Sequence, residues 1–169
     1  MYDGEVLLDR QLQIQILLDH YQRPRHHGAL EGADVEMPGG NPGCGDVVTV
    51  YLKGAEDHDH IEDATYEGEG CTISMAAASM VLEEIHEGNL TMDQVLQMDY
   101  NEMIEKLGRQ IVASRPKCAT LGLGTLKAAI RKYQKDRRLE EAGIPQGRPE
   151  DAEDDLVFGE GAAEAARKD

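Results

Sequence analysis

The period of the chain changes once, and abruptly, between Val47 and Gly88. Residues 47–54, VVTVYLKG, alternate Val48, Val50 and Leu52 onto one face, as a half-buried antiparallel strand requires. Residues 60–68, HIEDATYEG, give a second strand after the acidic turn AEDHD. Ile61, Ala64 and Tyr66 do not alternate strictly, so a bulge or a slipped register is expected there. Past Gly70 the pattern turns helical in CTISMAAASMVLEEIHEG (71–88). Its first half is made of small residues, with Ser74, Ala76, Ala77, Ala78 and Ser79 leaving room for a close neighbour. Gly88 is expected to cap that helix at its C-terminus.

Around this unit, residues 6–21 (VLLDRQLQIQILLDHY) space Leu7, Leu8, Leu12, Ile14, Leu17, Leu18 and Tyr21 as a helix with an apolar face. Pro24 and then His26-His27-Gly28 end it. Adjacent residues on an extended chain point to opposite sides, so His26 and His27 read as solvated loop histidines rather than a ligand pair. His58 and His60 read as surface polar residues of the hairpin turn. Residues 31–43, rich in Gly and Pro, form a loop that feeds the first cysteine. Thr91 and Asp93 open a short helix toward Gln97, and another runs from about Asn101 to Leu107, ended by Gly108. Residues 118–137 give an amphipathic helix through Leu121, Leu123, Leu126, Ala129, Ile130 and Tyr133, its early turns loosened by Gly122 and Gly124. Beyond it the chain is acidic and without periodicity. The organisation expected is therefore one domain over 1–138 and an acidic, disordered tail over 139–169, with Leu156-Val157-Phe158 as a candidate docking element.

A formal charge of −16 argues against a nucleic-acid partner or an anionic membrane surface, both of which need clustered Lys and Arg. No stretch approaches the roughly 20 apolar residues of a membrane span. The N-terminus lacks a basic region followed by an apolar one, which makes a cytoplasmic setting the expectation. The chain has 3 cysteines, an odd number that cannot all pair internally, and reduced thiols in the cytosol point to metal or sulfur chemistry.

The contexts of these cysteines carry the argument. Cys44 lies in Asn-Pro-Gly-Cys-Gly-Asp, between two glycines and two residues before Asp46. Cys71 opens a helix behind Gly68 and Gly70, where unpaired N–H groups and the helix dipole favour a thiolate. Cys118 opens another, with Arg115 and Lys117 adding positive charge. Buried structural cysteines usually sit in the middle of apolar runs. These three sit in turns and at helix starts, the setting of reactive or metal-bound thiols. Cys44, Cys71, Cys118 and Asp46 could supply the four ligands of a tetrahedral site.

HYQRP, NPGCGD, GEGCTISMAAASM and KCATLGLGTLKAAI stand in this order along the chain. Over roughly residues 10–135 the chain resembles the IscU/SufU-type (NifU N-terminal-like) iron–sulfur cluster assembly scaffolds. The resemblance implies an α+β fold, in which a small three-stranded antiparallel sheet packs against several helices and the cysteines gather at one exposed end. The third strand falls within Ala33–Met37. Cys44, Asp46, Cys71 and Cys118 match the family's metal- or cluster-binding positions, with Cys118 and Cys44 as candidate persulfide acceptors. The function implied is a non-enzymatic scaffold. It takes sulfur from a cysteine desulfurase, binds iron or a [2Fe–2S] cluster and passes the cluster to apo iron–sulfur proteins. The alternative is a SufU-like sulfurtransferase, in which zinc occupies the same four residues and the protein activates the desulfurase. A homodimer is left open. Two features set the chain between the types. Lys117 stands where IscU-type members have histidine, and the Cys71–Cys118 interval is shorter than the SufU insertion implies.

Overall fold

The structure, a computed structural model, describes residues 2–41 and 45–143. Its elements are α1 (Tyr2–Gln22), β1 (Val35–Asn41), β2 (Asp46–Gly54), β3 (Ile61–Glu69), α2 (Thr72–Gly88), α3 (Met92–Leu96), α4 (Tyr100–Leu107) and α5 (Pro116–Glu141). The three strands form an antiparallel sheet in the order β1-β2-β3. This is the α+β architecture expected.

Register explains why β2 alternates. Val48, Val50 and Leu52 stand opposite Gly39, Met37 and Val35 on one side and Gly68, Tyr66 and Ala64 on the other. All three side chains are buried, while Val47 on the opposite face is 52% exposed. The register shifts between Lys53 and Gly54. That shift brings Ile61 into the core although it breaks alternation with Ala64 and Tyr66.

The sheet is covered by α5, which crosses β1 and β2, and by α2, which lies against β3. Two glycines let α5 lie flush on the strands. A Cβ on Gly39 would come within 2.0 Å of Thr125 Oγ1, and one on Gly54 within 2.2 Å of the Tyr133 hydroxyl oxygen. Close cover also extends the first strand. β1 runs past Met37 through Pro38-Gly39-Gly40, a stretch whose composition reads as loop. Pro38 is tolerated because β1 is an edge strand.

α5 and α2 approach backbone to backbone, since a Cβ on Gly122 would sit 2.9 Å from Ala78 Cα. Gly122 is thus a contact surface and not a loosening of the helix. α5 is longer than residues 118–137. It starts with Pro116, whose fixed φ suits the first helical turn. Its last turn carries Arg137–Glu140 and Arg137–Glu141 ion pairs. Residues 139–141 therefore continue the helix, and residues 144–169, including Leu156-Val157-Phe158, lie outside the described residues.

Two further expectations change. α2 is capped not by Gly88 but by Asn89, which takes the left-handed conformation at φ 47°. Over residues 10–22, α1 leaves most of its apolar face uncovered. Leu17 and His20 are buried, whereas Leu12, Ile14, Leu18 and Tyr21 are exposed. The helix packs on α2 and also touches α4. Against α2, His20 Nδ1 lies 2.7 Å from Ser79 Oγ and His20 Nε2 lies 3.0 Å from Glu83 Oε2. The string has the order of a nucleophile–base–acid relay. Ser79 is 0% exposed and accepts the Arg25 backbone N–H at 2.9 Å, so it fastens the end of α1 to α2.

Candidate metal centre

Asp46 is the first residue of β2, Cys71 is the N-cap of α2, and Cys118 is the third residue of α5. The close crossing of α2 and α5 brings both helix N-termini to one point, and β2 delivers a carboxylate between them. Ligand atoms of Asp46, Cys71 and Cys118 all lie within 4.8 Å of one another. Cys44 lies outside the described residues, two positions before Asp46 in the chain.

Asp46 is the hub. Ser74 Oγ donates to Asp46 Oδ2 at 2.6 Å, the Cys118 thiol donates to the same oxygen at 3.0 Å, and the Cys71 backbone N–H donates to Oδ1 at 3.2 Å. The Cys71 sulfur lies 3.5 Å from Ser74 Oγ. Burial pushes the Asp46 carboxyl up, but the hydrogen bonds from Ser74, Cys118 and Cys71 outweigh it and hold the group below the usual aspartate value. Burial likewise pushes the Cys71 thiol up. Hydrogen bonding with the Ser74 side chain and backbone, and then the neighbouring Cys118 and Arg115, reverse that and leave it below the ordinary thiol value.

Local sequence makes this arrangement. Gly45 turns the chain at φ 73°, so that Asp46 enters the strand. A Cβ on Gly70 would lie 3.0 Å from both Cγ and Oδ1 of Asp46, so any side chain at position 70 would push the carboxylate back by a few tenths of an ångström from the start of α2. The thiols are less open than the expected exposed end. Cys71 is half-buried, while Cys118 is 0% and Asp46 5% exposed, because the crossing at Gly122 draws the first turn of α5 inward.

The donor set fits a metal. Tetrahedral zinc with bonds of about 2.0–2.3 Å places its ligands somewhat under 4 Å apart, and the present spread needs only a small closing. Two soft thiols with a carboxylate suit zinc or iron, and the proton that Cys118 shares with Asp46 is the one a metal would displace.

Ser74 is the residue that sequence reasoning missed. It stands three positions after Cys71, one helical turn on and so on the same face, and that spacing was the available signal. The histidines divide. His27 lies edge-on to Tyr66, with ring centroids 5.2 Å apart. His26 instead stacks on His86 at 3.6 Å, half-buried rather than solvated. His58 Nδ1 lies 2.8 Å from the Tyr133 hydroxyl, and His60 Nδ1 lies 2.6 Å from Asp57 Oδ2, both at the hairpin turn. No helix among the described residues is long and apolar enough to cross a membrane.

The chain as a whole has relatives among known proteins. The family model described as the NifU-like N terminal domain matches residues 13–140. An iron–sulfur cluster assembly scaffold protein IscU from Streptococcus pyogenes serotype M1 is 32% identical over 152 residues, covering 81% of this chain and 94% of that protein. A zinc-dependent sulfurtransferase SufU from Bacillus subtilis is 35% identical over 135 residues, covering 71% of this chain and 90% of that protein. A crystal structure of a proposed iron–sulfur cluster assembly scaffold protein for the SUF system, from Fervidobacterium islandicum AW-1, superposes with a TM-score of 0.59 at 27% identity. It covers 68% of this chain and 93% of that one.

Proposed function

The chain belongs to the NifU-like N-terminal family, and from that premise we propose that it is an iron–sulfur cluster assembly scaffold. It takes sulfur from a cysteine desulfurase, holds iron or a [2Fe–2S] cluster as cargo on Cys44, Asp46, Cys71 and Cys118, and passes the cluster to apo-proteins. The observation that carries this reading is the buried Asp46 carboxylate, linked by hydrogen bonds to the Cys118 thiol and to the start of α2 at Cys71. Thiolates are good cluster ligands, and a carboxylate is a harder and poorer one. A site with one weak ligand is suited to release, where a permanent electron carrier would use four strong ones.

Each residue has a separate task. Cys71 sits at a helix N-terminus with its thiol already biased toward thiolate. Cys118 holds its proton against Asp46 until a cation takes its place. Ser74 keeps the carboxylate aimed between the thiols when the site is empty of cargo. Sulfur arrives when a thiolate of this chain attacks the outer sulfur of the desulfurase persulfide. A new S–S bond forms, the old one breaks, and the desulfurase cysteine leaves as thiolate, with no external oxidant. Cys118 must first be uncovered, since it is fully buried. The setting we infer is the cytosol, where thiols stay reduced.

One observation favours a zinc-bound sulfurtransferase as the second reading. Arg115 is among the groups that hold the Cys71 thiol below its ordinary value, and it stands in a Ser-Arg-Pro-Lys-Cys segment that has lysine in place of histidine before the third cysteine. An arginine there would steady a Cys71 thiolate taking sulfur, while zinc held on the same residues would keep the thiols deprotonated.

The test is transfer. Protein reconstituted anaerobically with desulfurase, cysteine and ferrous iron is mixed with an apo-ferredoxin and followed by visible circular dichroism. The scaffold reading predicts that the cluster signal moves to the ferredoxin. Rapid sulfur uptake without any transferable cluster would give the second reading the place of the first.

A further inference from the structure

A second set of metal-binding groups lies at the far end of α2. His86 is in the last turn of α2, Asp63 is in β3, and His26 is in the loop after α1. Their ligand atoms all lie within 4.8 Å of one another. From Cys71 to His86 the helix spans roughly 22 Å at its usual rise per residue, so this cluster is separate from the cysteine centre.

Hydrogen bonding fixes the chemistry of His86. Its Nδ1 lies 2.6 Å from the Leu82 carbonyl oxygen. A carbonyl only accepts, so Nδ1 carries the hydrogen, and the lone pair of the neutral ring is on Nε2. Nε2 faces Asp63 Oδ1 at 3.2 Å. That contact is favourable when a cation stands between the two atoms, either a proton on Nε2, which makes an imidazolium–carboxylate pair, or a metal ion. An imidazole with its distal N–H held by a backbone carbonyl is also how metal-bound histidines are oriented.

His26 is positioned, not loose. Its backbone sits in the left-handed region at φ 57°, and its carbonyl accepts the Tyr66 N–H at 3.0 Å while the Gly28 N–H donates to the Tyr66 carbonyl at 2.8 Å. β3 therefore fixes where this residue stands. Its ring lies flat on that of His86, with centroids 3.6 Å apart and planes 9° from parallel. Two imidazolium ions cannot share that stack, because like charges so close repel strongly. Side chains of His86 and Asp63 are 22% and 42% exposed, so solvent reaches the group.

We propose that His26, Asp63 and His86 form a second metal site, for one borderline divalent cation of the zinc class, clipping the loop after α1 to β3 and to the end of α2. Two imidazoles and a carboxylate are a zinc ligand set, with water left to complete the tetrahedron. Parallel rings cannot both point in-plane at one ion. Binding therefore turns the His26 ring out of the stack, while His86 stays held by Leu82. The acidic chain, at −16, raises the local concentration of cations.

The experiment titrates zinc into the full-length chain near neutral pH, in competition with a chromophoric chelator. Asp63→Asn and His86→Gln are titrated in parallel. Asp63→Asn keeps the shape of a half-exposed side chain and so leaves the fold intact. Thiolate-to-cobalt charge-transfer absorption of the cobalt-loaded proteins reports the cysteine centre separately. The expected result is one more zinc equivalent in the parent than in either variant, or the same equivalent bound at least about tenfold more weakly in the variants, with the charge-transfer band unchanged. Equal stoichiometry and affinity in all three proteins would overturn the site.

Discussion

Ser74 donates its hydroxyl hydrogen to Asp46 at 2.6 Å across the start of α2, and through that bond the helix holds the carboxylate between Cys71 and Cys118. Ser74→Ala leaves a buried carboxylate one donor short. A hydrogen bond to a charged group contributes about 1.5–3 kcal/mol, so denaturant unfolding of the metal-free variant should show a loss of that order. The Asp46 carboxyl should also titrate at higher pH than in the parent, because one of the bonds that lowers it is gone. An unchanged midpoint of unfolding would mean that Ser74 does not hold the site.

Release should be governed by Asp46. It is the hard oxygen among soft sulfurs and hence the ligand most easily displaced by an incoming thiol. Asp46→Ala keeps all three thiols and is expected to pass a reconstituted cluster to apo-ferredoxin several-fold more slowly. Asp46→Cys should be slower still, approaching a stable four-thiolate centre. Transfer by Asp46→Ala at the parent's rate would remove the carboxylate from the release step.

The helix crossing can be probed apart from the ligands. Gly122→Val pushes a branched side chain into the Ala78 backbone, where even a Cβ is 2.9 Å from Ala78 Cα. Overpacking of this kind costs about 1–3 kcal/mol. Because α2 and α5 carry Cys71 and Cys118, zinc affinity should fall with stability. Thermal melts and chelator competition measure the two; a variant with lower stability and full affinity would separate the crossing from the site.

Only strong acid should loosen the hairpin turn. Asp57 accepts the backbone N–H groups of Asp59 and His60, each at 2.9 Å, and lies 2.6 Å from the His60 ring. These bonds, the two backbone ones with His60 leading, lower its carboxyl from 3.8 to about 2. The folded value lies below the unfolded one, so the contribution is full above pH 3.8 and is lost as the pH falls toward 2. Carboxyl chemical shifts followed by NMR should show Asp57 titrating in that window, and Asp57→Asn should flatten the stability profile there. A titration near the ordinary aspartate value would break the account of the turn.

What could be read from residue order was whatever repeats locally. Val48, Val50 and Leu52 alternate because one face of β2 is buried, and the break in alternation at Ile61 marked the register shift opposite Gly54. Turn and helix-start contexts picked out Cys71 and Cys118, which the fold brings together with Asp46. Long-range contact was not legible. Pro38-Gly39-Gly40 becomes strand only because Thr125 covers Gly39, and Gly122 is needed only because Ala78 crosses it. The same holds for His26 and His86, which no local period connects. Nor does helical spacing say which apolar residues will find a partner, as the exposed Leu12 and Leu18 on α1 show.

The central claim is that this chain builds an iron–sulfur cluster on its cysteines and Asp46. Its most direct test is analysis of iron, acid-labile sulfide and zinc in the full-length protein after anaerobic incubation with a cysteine desulfurase, cysteine and ferrous iron. The account predicts a coloured protein with iron and sulfide in equal amounts, and loss of both in Cys118→Ser. A colourless parent that retains only zinc, or a Cys118→Ser variant with its cluster undiminished, would contradict it.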